Sequence, residues 1–264
     1  MVKPETIGSA ANPLIKDVRR AIARGGLTSD GWCVAETVHL LEEALRSRCQ
    51  VKQVLVAEGA RDQLPRLDGI RVAVLPDELL QKVSGTEASQ GVLALVEPPA
   101  WQVIDLFEGR ALVMVLDALQ DPGNAGAVVR AAEAFGASGA IFLKGTASPF
   151  NPKTLRASAG SLFRVPFVHG LDIDIARAAL EENRVKVFAA VPSRQGAEVR
   201  TAADSDLTVA CALIVGNEGR GVSGEWRGVA QGISIPTVAV ESLNAAMAAG
   251  ILLYEARRQR SSRP

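Results

Sequence analysis

The chain has 264 residues, of which 48% are hydrophobic, and a formal net charge of zero at pH 7. This length favours two domains, and the apolar fraction is enough for a core in each. The even charge balance excludes a domain-wide basic field, so a nucleic-acid partner would need a local basic patch. The chain opens with no charged-then-apolar leader, and no apolar run approaches the roughly 18 residues of a membrane span. We therefore expect a soluble, cytoplasmic protein.

Cysteine spacing bears on metal binding, and the local distribution of basic residues bears on a nucleic-acid partner. The three cysteines form no C-x-x-C pair and, with two distant histidines, no plausible zinc set, so we expect reduced thiols and no metal. One basic patch lies near the start, at Lys16, Arg19, Arg20 and Arg24. A second lies at the end, at Arg257, Arg258, Arg260 and Arg263. The simplest interpretation of the second patch is a solvated helix end, where cations also suit the helix dipole.

The first hundred residues alternate between helical and strand-like patterns. Leu14, Val18 and Ile22 predict an amphipathic helix within residues 9–24, ended by two glycines. Further helices are predicted near 38–47 and 77–82, and strands at 32–36, 51–57, 71–75 and 91–97. Two prolines then place a boundary near 100–108. These patterns predict a small α/β sandwich over residues 1–104 and a second domain over 105–264.

The second domain alternates more regularly. Strands are predicted at 111–117, 139–143, 164–168, 186–191, 208–215 and 233–236, separated by helices near 125–135, 152–160 and 173–183, and by a short helix after Gly221. Continuous apolar strands between helices indicate a parallel sheet covered on both faces. A long closing helix is predicted from Ser242, with one side suited to packing, formed by Leu243, Met247, Gly250, Ile251 and Tyr254.

Three polar stretches each follow a strand, which is where α/β proteins place ligands: 121–130, 216–221 and 235–244. In the first, DPGNAGAVVR, a loop around Gly123 and Asn124 could present backbone amides to an anion. The alternative is an ordinary turn with Asn124 as N-cap. Arg130 is nearly two helical turns further on, so it reaches the same region only if the helix bends in. Its alternative is a solvated surface arginine.

The second and third stretches each add a polar candidate. The glycines of GNEGRG permit tight turns that would hold Glu218 near the carboxyl end of the sheet, whereas the alternative is a solvent-facing glutamate. Ser242 and Asn244 open the last helix, where Ser242 alone could simply be the N-cap. Neither dinucleotide nor P-loop glycine spacing is present, which disfavours a dinucleotide-dependent oxidoreductase. His39 and His169 have no nucleophile or metal partner in view, so we interpret both as structural or surface residues.

Together these stretches resemble the three signature motifs of the SpoU (TrmH) family of RNA ribose 2'-O-methyltransferases, in order, strand context and spacing. The segment NPKTLRASAGSLFRVPF at 151–167 is also typical of that family, and the likeness covers nearly all of residues 109–260. The first domain is similar to the family's ribosomal-protein-like substrate-binding domain, through SAANPLIK and SQGVLALVE. Two departures are visible. The AET at 35–37 replaces the usual E-G, and PTVAVES lacks the usual Met and glycines and is one residue shorter.

The resemblance implies a trefoil-knotted α/β methyltransferase domain, a homodimer, and S-adenosylmethionine bound in a bent shape. It implies substrate and catalytic positions at Asn124, Arg130, Glu218, Ser242 and Asn244. It implies a cofactor pocket that includes Gly216, Ile235 and Leu243, with Ala190 as a weaker candidate. The implied substrate is RNA, with 23S-type ribosomal RNA favoured because the first domain is similar to those of rRNA-modifying members.

Several alternatives stay open under this resemblance. The target could be tRNA, or the rRNA modification could confer antibiotic resistance. A noncatalytic RNA-binding ribosome-assembly factor is a further alternative, although the five intact signature residues argue against it. The role of Arg130 is also open, because a guanidinium normally keeps its proton. It could act as a base after losing that proton to a neighbour such as the cofactor carboxylate, or it could bind an RNA phosphate.

Overall fold

The computed structural model describes residues 4–47, 49–86, 89–192 and 199–261. It divides into two compact units, Met1–Ala100 with Ser148–Arg164 and Trp101–Ala147 with Val165–Pro264. The predicted domain limits, 1–104 and 105–264, stay a prediction. No helix in the described part of the chain is long and apolar enough to cross a membrane.

The first unit is built on a five-stranded mixed sheet with the strand order β1-β4-β3-β5-β2. Its strands are β1 Glu5–Thr6, β2 Cys33–Glu36, β3 Gln50–Ala57, β4 Arg71–Leu75 and β5 Val92–Glu97. Its first three helices are α1 Pro13–Arg24, α2 Val38–Arg46 and α3 Asp77–Val83. Strands β1, β4 and β3 are parallel, whereas β5 runs antiparallel to β3 and β2. The predicted helices and strands are all present, and the two-residue β1 was not predicted.

Helix α1 begins and ends at the residues that its sequence favours. The Asn12 side chain accepts a hydrogen bond from the backbone of Leu14, a proline occupies the first helical position, and Gly25 ends the helix at φ 60°. The buried positions are Ile15, Val18 and Ala21. The packing face is therefore rotated slightly from the predicted one, in which Leu14 and Ile22 accompanied Val18.

Helix α2 begins at an unusual residue. Thr37 has φ 120°, and its side chain accepts a hydrogen bond from the backbone of Leu40. A β-branched residue is strained at positive φ, whereas glycine is not. Such a conformation would suit the glycine that the resemblance leads one to expect at this position, and in this chain the threonine hydroxyl supplies a helix cap instead.

The second unit is built on a seven-stranded sheet with the order β10-β12-β9-β11-β6-β7-β8, in which every pairing is parallel. The strands are β6 Leu112–Asp117, β7 Gly139–Leu143, β8 Phe167–Leu171, β9 Lys186–Ala190, β10 Arg200–Thr201, β11 Cys211–Gly216 and β12 Gln231–Ser234. The remaining helices are α4 Pro122–Ala134, α5 Pro152–Ser158, α6 Ile173–Glu182 and α7 Ala245–Ser261. Short 3-10 turns lie at Glu58–Gln63, Val103–Phe107, Ser161–Phe163 and Gly224–Trp226. The predicted parallel sheet is confirmed.

The strand order of the second unit creates one reversal. From β6 the chain adds β7 and β8 on one side, whereas β11, β9 and β12 lie on the other side. In open parallel sheets, ligands bind beyond the carboxyl ends of the strands at such a switch point. The ends of β6, β9, β11 and β12 therefore define the region in which to look for a site.

The segment 148–164 lies between β7 and β8 in sequence but belongs to the first unit. Arg156 of α5 forms an ion pair with Glu36 of β2, and Arg164 pairs with Glu43 of α2. The Glu36 side chain is only 3% exposed, and burial lowers the pKa of Arg156. Two ion pairs thus hold this segment in the first unit, which the sequence pattern did not indicate.

The end of α7 corrects the expectation of a fully solvated basic tail. Arg260 donates hydrogen bonds to the carbonyls of Leu207, Arg110, Ala111 and Val209, at 2.6–2.9 Å. Arg258 pairs with Glu255, and its hydrogen bond holds the pKa of that carboxyl below its usual value. Arg257 is exposed as predicted, and Arg263 lies outside the described residues.

Helix α7 also buries a different face from the predicted one. Its buried residues are Ala245, Ala249, Leu252, Leu253 and Ala256. Of the predicted stripe, Met247, Ile251 and Tyr254 are 57%, 38% and 55% exposed. This apolar face, which we call the outer face of α7, faces solvent in the single chain.

Candidate active site

The first polar stretch forms the start of α4 and not a loop. Asp121 is the N-cap, and its side chain accepts a hydrogen bond from the backbone of Asn124 at 2.8 Å. Pro122 occupies the first helical position, which its fixed φ suits. Asn124 is thus the third residue of the helix, so both the predicted glycine loop and the alternative of Asn124 as N-cap are wrong. The first turn of α4 directs this side chain toward the ends of the strands.

The second stretch folds back on itself immediately after β11. A Cβ on Gly216 would lie 2.2 Å from the backbone carbon of Gly221, so only glycine fits there. The Asn217 side chain accepts hydrogen bonds from the backbone of Gly219 and Arg220, at 2.9 and 3.1 Å. It also donates to the carbonyl of Ala118 at 3.1 Å. This turn places Glu218 beside the start of α4.

The far end of the same turn is held by a buried carboxylate. Asp117, the last residue of β6, is 2% exposed. It accepts hydrogen bonds from the backbone and the hydroxyl of Ser223, at 2.7 and 2.8 Å. Sequence analysis assigned no role to Asp117, Asn217 or Ser223. The available signal was a charged residue at the end of an otherwise apolar strand, beside the strand that carries GNEGRG.

The third stretch ends in the cap of α7. Asn244 accepts hydrogen bonds through Oδ1 from the backbone of Ala246 and Met247, at 3.0 and 3.2 Å. The cap of the closing helix is therefore Asn244 and not Ser242, and the helix begins at Ala245 instead of Ser242. Ser242 is exposed and lies two residues before the cap.

Three predicted residues, one from each stretch, form a continuous hydrogen-bonded chain. Asn244 donates through Nδ2 to Oδ1 of Asn124 at 3.0 Å. Asn124 donates through Nδ2 to Oε1 of Glu218 at 2.8 Å. Oδ1 of Asn244 already accepts the hydrogen bonds that cap α7, so the group of Asn244 that faces Asn124 is the amide nitrogen, which donates. Oδ1 of Asn124 accepts this bond, so the amide nitrogen of Asn124 is the group that donates to Glu218. The hydrogen-bonded series therefore ends on an acceptor, the Oε1 oxygen of Glu218.

A cavity of about 640 Å³ opens beside these three hydrogen-bonded side chains, beyond the ends of β9, β11 and β12. All four predicted cofactor residues line it, together with Glu218 and Ser242: Ala190, Gly216, Ile235 and Leu243. Its apolar wall also includes Val215 and Ile233, whereas Thr237 and Glu241 add polar groups. This size and mixed lining suit a small organic molecule with both polar and apolar parts. The residues present therefore fit S-adenosylmethionine, whose adenosine and amino-acid parts differ in polarity.

Arg130 is not brought to this cavity within the single chain. It is exposed on α4 and does not line the cavity. No hydrogen-bond or ion-pair partner is recorded for it among the described residues. Six positions separate it from Asn124, which places the two side chains on different sides of α4. Its predicted catalytic role stays a prediction.

The histidines lie apart from the cavity lining. His39 is exposed on α2, in the first unit. His169 lies in β8 near the ring of Phe167, and burial lowers its pKa. Both placements agree with the interpretation of these residues as structural or surface residues.

Comparison with known proteins assigns both parts of the chain to described families. A model of the SpoU rRNA Methylase family matches residues 111–254, and a model of the MRM3-like substrate binding domain matches residues 12–94. The chain belongs to the SpoU rRNA methylase family. Its predicted family, α/β fold class and enzyme class are confirmed.

Two curated relatives are similar over most of their length. One is the 23S rRNA (guanosine(2553)-2'-O)-methyltransferase RlmP of Bacillus subtilis (strain 168), 34% identical over 95% of this chain and 98% of the relative. The other is the 23S rRNA (uridine(2479)-2'-O)-methyltransferase of Streptomyces viridochromogenes, 35% identical over 78% of this chain and 74% of the relative. Both are ribose methyltransferases of large-subunit ribosomal RNA, although their target nucleotides differ.

Solved structures of the family show the same architecture. The SpoU methyltransferase AviRb from Streptomyces viridochromogenes, in complex with AdoMet, has a TM-score of 0.81 and 28% identity, covering 95% of this chain and 100% of that one. The AdoMet-bound rRNA methyltransferase from Sinorhizobium meliloti has a TM-score of 0.83 and 27% identity, covering 96% and 97%. The predicted cofactor class thus agrees with two structural relatives.

Proposed function

We propose that this protein transfers the methyl group of S-adenosylmethionine to the 2'-hydroxyl of a ribose in 23S-type ribosomal RNA. The observation that carries the proposal is the hydrogen-bonded chain of Asn244, Asn124 and Glu218 at the edge of the strand-end cavity. The names of the two curated relatives support the reaction and the RNA. The differing nucleotides in those names leave the target position of this protein open.

In this proposal the cavity residues hold the cofactor and the hydrogen-bonded chain orients the ribose. The backbone at Gly216 and the side chains of Ile235 and Leu243 form the walls, with Ala190 at the end of β9. When bound, S-adenosylmethionine supplies a methyl group on a sulfonium that is already a good leaving group. The protein must then hold the ribose oxygen in line, at roughly 3–3.5 Å from that methyl group.

Glu218 is the group best placed to fix the ribose. Its Oε1 is occupied by Asn124, and no partner is recorded for its other oxygen among the described residues. That oxygen is free to accept a hydrogen bond from a substrate hydroxyl or amino group. Ser242, exposed on the cavity lining, adds a second hydroxyl contact. These residues position the substrate. Arg130 either binds the RNA phosphate, or accepts the hydroxyl proton after first losing its own proton to a neighbour such as the cofactor carboxylate.

We further propose that Arg130 reaches the site from a second copy of the chain. The outer face of α7 is exposed and apolar, and α7 packs beside α4, with the rings of Phe135 and Tyr254 in edge contact at 5.8 Å. Burying this face against its own copy would form a twofold dimer and would remove the apolar side chains from water. A dimer also supplies what one chain does not, an arginine near Glu218.

A mixing experiment tests the dimer and the arginine together. Arg130→Ala and Glu218→Ala would each be inactive alone, and the two would be unfolded, mixed and refolded as one sample. If Arg130 acts across the interface, random pairing restores about a quarter of wild-type activity, because half of the dimers contain one complete site. Activity that stays at the level of the separate variants would show that each site uses its own arginine or none.

The reaction itself is tested with labelled S-adenosylmethionine and protein-free pools of 23S rRNA and tRNA, followed by digestion to nucleosides. A 2'-O-methylated nucleoside from the rRNA pool that is absent with Glu218→Ala confirms the proposal. Label in the tRNA pool alone would overturn the choice of RNA. Absence of label in both pools and in intact ribosomal subunits, with the cofactor still bound, would overturn the enzymatic function in favour of a noncatalytic RNA-binding role.

A further inference from the structure

Helix α1 of the first unit exposes a row of cations. Its exposed basic residues are Lys16, Arg19, Arg20 and Arg24. Lys16 is three and four residues from Arg19 and Arg20, and Arg24 is four residues beyond Arg20. Like charges at these spacings repel, and a cation in the first turn opposes the helix dipole. Arg24 suits the helix dipole in the last turn and Arg20 pairs with Asp17, so helix stability leaves Lys16 and Arg19 unexplained.

Several cations on four other helices are paired with a carboxylate of the same helix. The pairs are Arg46 with Glu42 and Glu43 on α2, Lys82 with Glu78 on α3, Arg177 with Asp174 on α6, and Arg258 with Glu255 on α7. On α1 only Arg20 has a carboxylate, that of Asp17, which also accepts hydrogen bonds from Ser29. Within the described ranges, Lys16, Arg19 and Arg24 have no recorded carboxylate partner.

The positive charge of α1 is local. The first hundred residues contain 12 basic and 13 acidic residues, so no wider field accounts for it. In the second basic patch, at the end of the chain, Arg260 binds four carbonyls and Arg258 binds Glu255, which leaves Arg257 as its unpaired cation among the described residues. The patch on α1 keeps three such cations, Lys16, Arg19 and Arg24, so it offers more charge to an external anion.

We propose that the exposed basic face of α1 binds the phosphate backbone of the substrate RNA. The inference rests on the proposed function, which makes RNA the polyanion that this protein must hold. From Lys16 to Arg24 the helix rises about 12 Å, enough to place successive cations along a strand. Guanidinium groups suit phosphate because they can donate two parallel hydrogen bonds. Such contacts position RNA without selecting its bases, so α1 sets affinity and not the target nucleotide.

The test uses the full-length double variant Arg19→Gln/Arg24→Gln. Its affinity for protein-free 23S rRNA would be measured over a series of salt concentrations, without cofactor. Each lost phosphate contact lowers the slope of log affinity against log salt by about one, so we expect a decrease of about two. At low salt we expect the Kd to rise on the order of tenfold.

The matched control is Arg46→Gln/Lys82→Gln. It removes the same charge from the same unit, also from helices, but its cations are paired with carboxylates of their own helices. We expect its slope and Kd to stay near wild type. Affinity for S-adenosylmethionine and the melting temperature should be unchanged in both variants, which separates lost RNA contacts from lost folding.

The failures of the two proposals are distinguishable. If wild type methylates the RNA but Arg19→Gln/Arg24→Gln keeps the wild-type slope and Kd, the role of α1 is overturned and the proposed function stands. An equal loss in both variants would also overturn it, since the effect would then be one of net charge. If wild type binds RNA but methylates none, the proposed function fails, and the difference in slope still decides the role of α1.

Discussion

Asn124 occupies the central position of the site because its amide is both an acceptor and a donor. It accepts from Asn244 and donates to Glu218, and the helix cap at Asn244 fixes the direction of both bonds. A residue with two acceptors could not satisfy this arrangement. The signature motifs predicted all three residues, whereas the direction of the bonds required the structure.

Replacing Asn124 by aspartate tests this direction at nearly constant size. Asn124→Asp would place a second carboxylate beside Glu218, and we expect the affinity for S-adenosylmethionine to fall about tenfold and the stability by about 1–2 kcal/mol. The double variant Asn124→Asp/Glu218→Gln restores a donor facing an acceptor. We expect it to recover stability and cofactor affinity, measured by thermal melting and calorimetric titration.

The double variant should nevertheless stay inactive, because the Glu218 carboxylate is absent. Equal cofactor affinity in the single and double variants would contradict the hydrogen-bonded chain as described. Glu218→Gln alone is the control, since it keeps the size of the side chain and an amide oxygen that can accept from Asn124, but removes the negative charge.

Helix α7 is the element whose two ends link the site to the sheet. At its start Asn244 caps the helix and contacts Asn124, and near its end Arg260 binds carbonyls that precede β6 and β11. The periodicity of the sequence predicted the helix but placed its start three residues early. It also could not show which arginine of the tail turns inward, because all four are the same residue type and differ only in their spacing along the chain.

Arg260 should contribute far more to stability than its neighbour Arg257. We expect Arg260→Ala to lower the free energy of unfolding by roughly 2–4 kcal/mol, because several carbonyls lose a charged donor. Arg260→Lys should recover only part of this, since an ammonium does not reproduce the planar guanidinium. Urea unfolding measures both, with exposed Arg257→Ala expected within about 0.5 kcal/mol of wild type. Similar losses for the two alanine variants would exclude the clamping role.

At the scale of the whole molecule, the chain enters the first unit twice. Residues 148–164 leave the second unit after β7, pack within the first unit and return at β8. The buried pair of Glu36 and Arg156 holds them there. Sequence analysis placed this segment in the second domain because it lies between two strands of the parallel sheet. The local sequence pattern of this segment does not show that its arginines have carboxylate partners, Glu36 and Glu43, more than a hundred residues earlier in the chain.

Removing one partner of this pair should be costly. Arg156→Ala would leave the Glu36 carboxylate buried without its cation, and we expect a loss of about 3–5 kcal/mol in the free energy of unfolding. Glu36→Gln/Arg156→Ala should lose less, since the uncompensated charge is gone. Arg164→Ala, whose ion pair with Glu43 is more exposed, should cost about 1 kcal/mol or less. A loss for Arg164→Ala as large as that for Arg156→Ala would contradict this account.

The sequence by itself determined the alternation of helices and strands in both units, the parallel sheet and the family, and the family resemblance pointed to four of the residues that line the cavity. These follow from apolar periodicity and from short motifs, both of which are local in the chain. Only the tertiary structure decided that Asn124 lies inside a helix, that Asn244 and not Ser242 caps α7, that Asp117 and Ser223 hold the turn of Glu218, and that Arg130 stands apart from the cavity. The two helix starts depend on local caps, Asp121 for α4 and Asn244 for α7, and each stretch offers more than one residue that favours a cap. The turn of Glu218 depends on a contact between residues 106 positions apart, and the place of Arg130 depends on the face of α4 that packing buries, so neither is encoded in a local pattern.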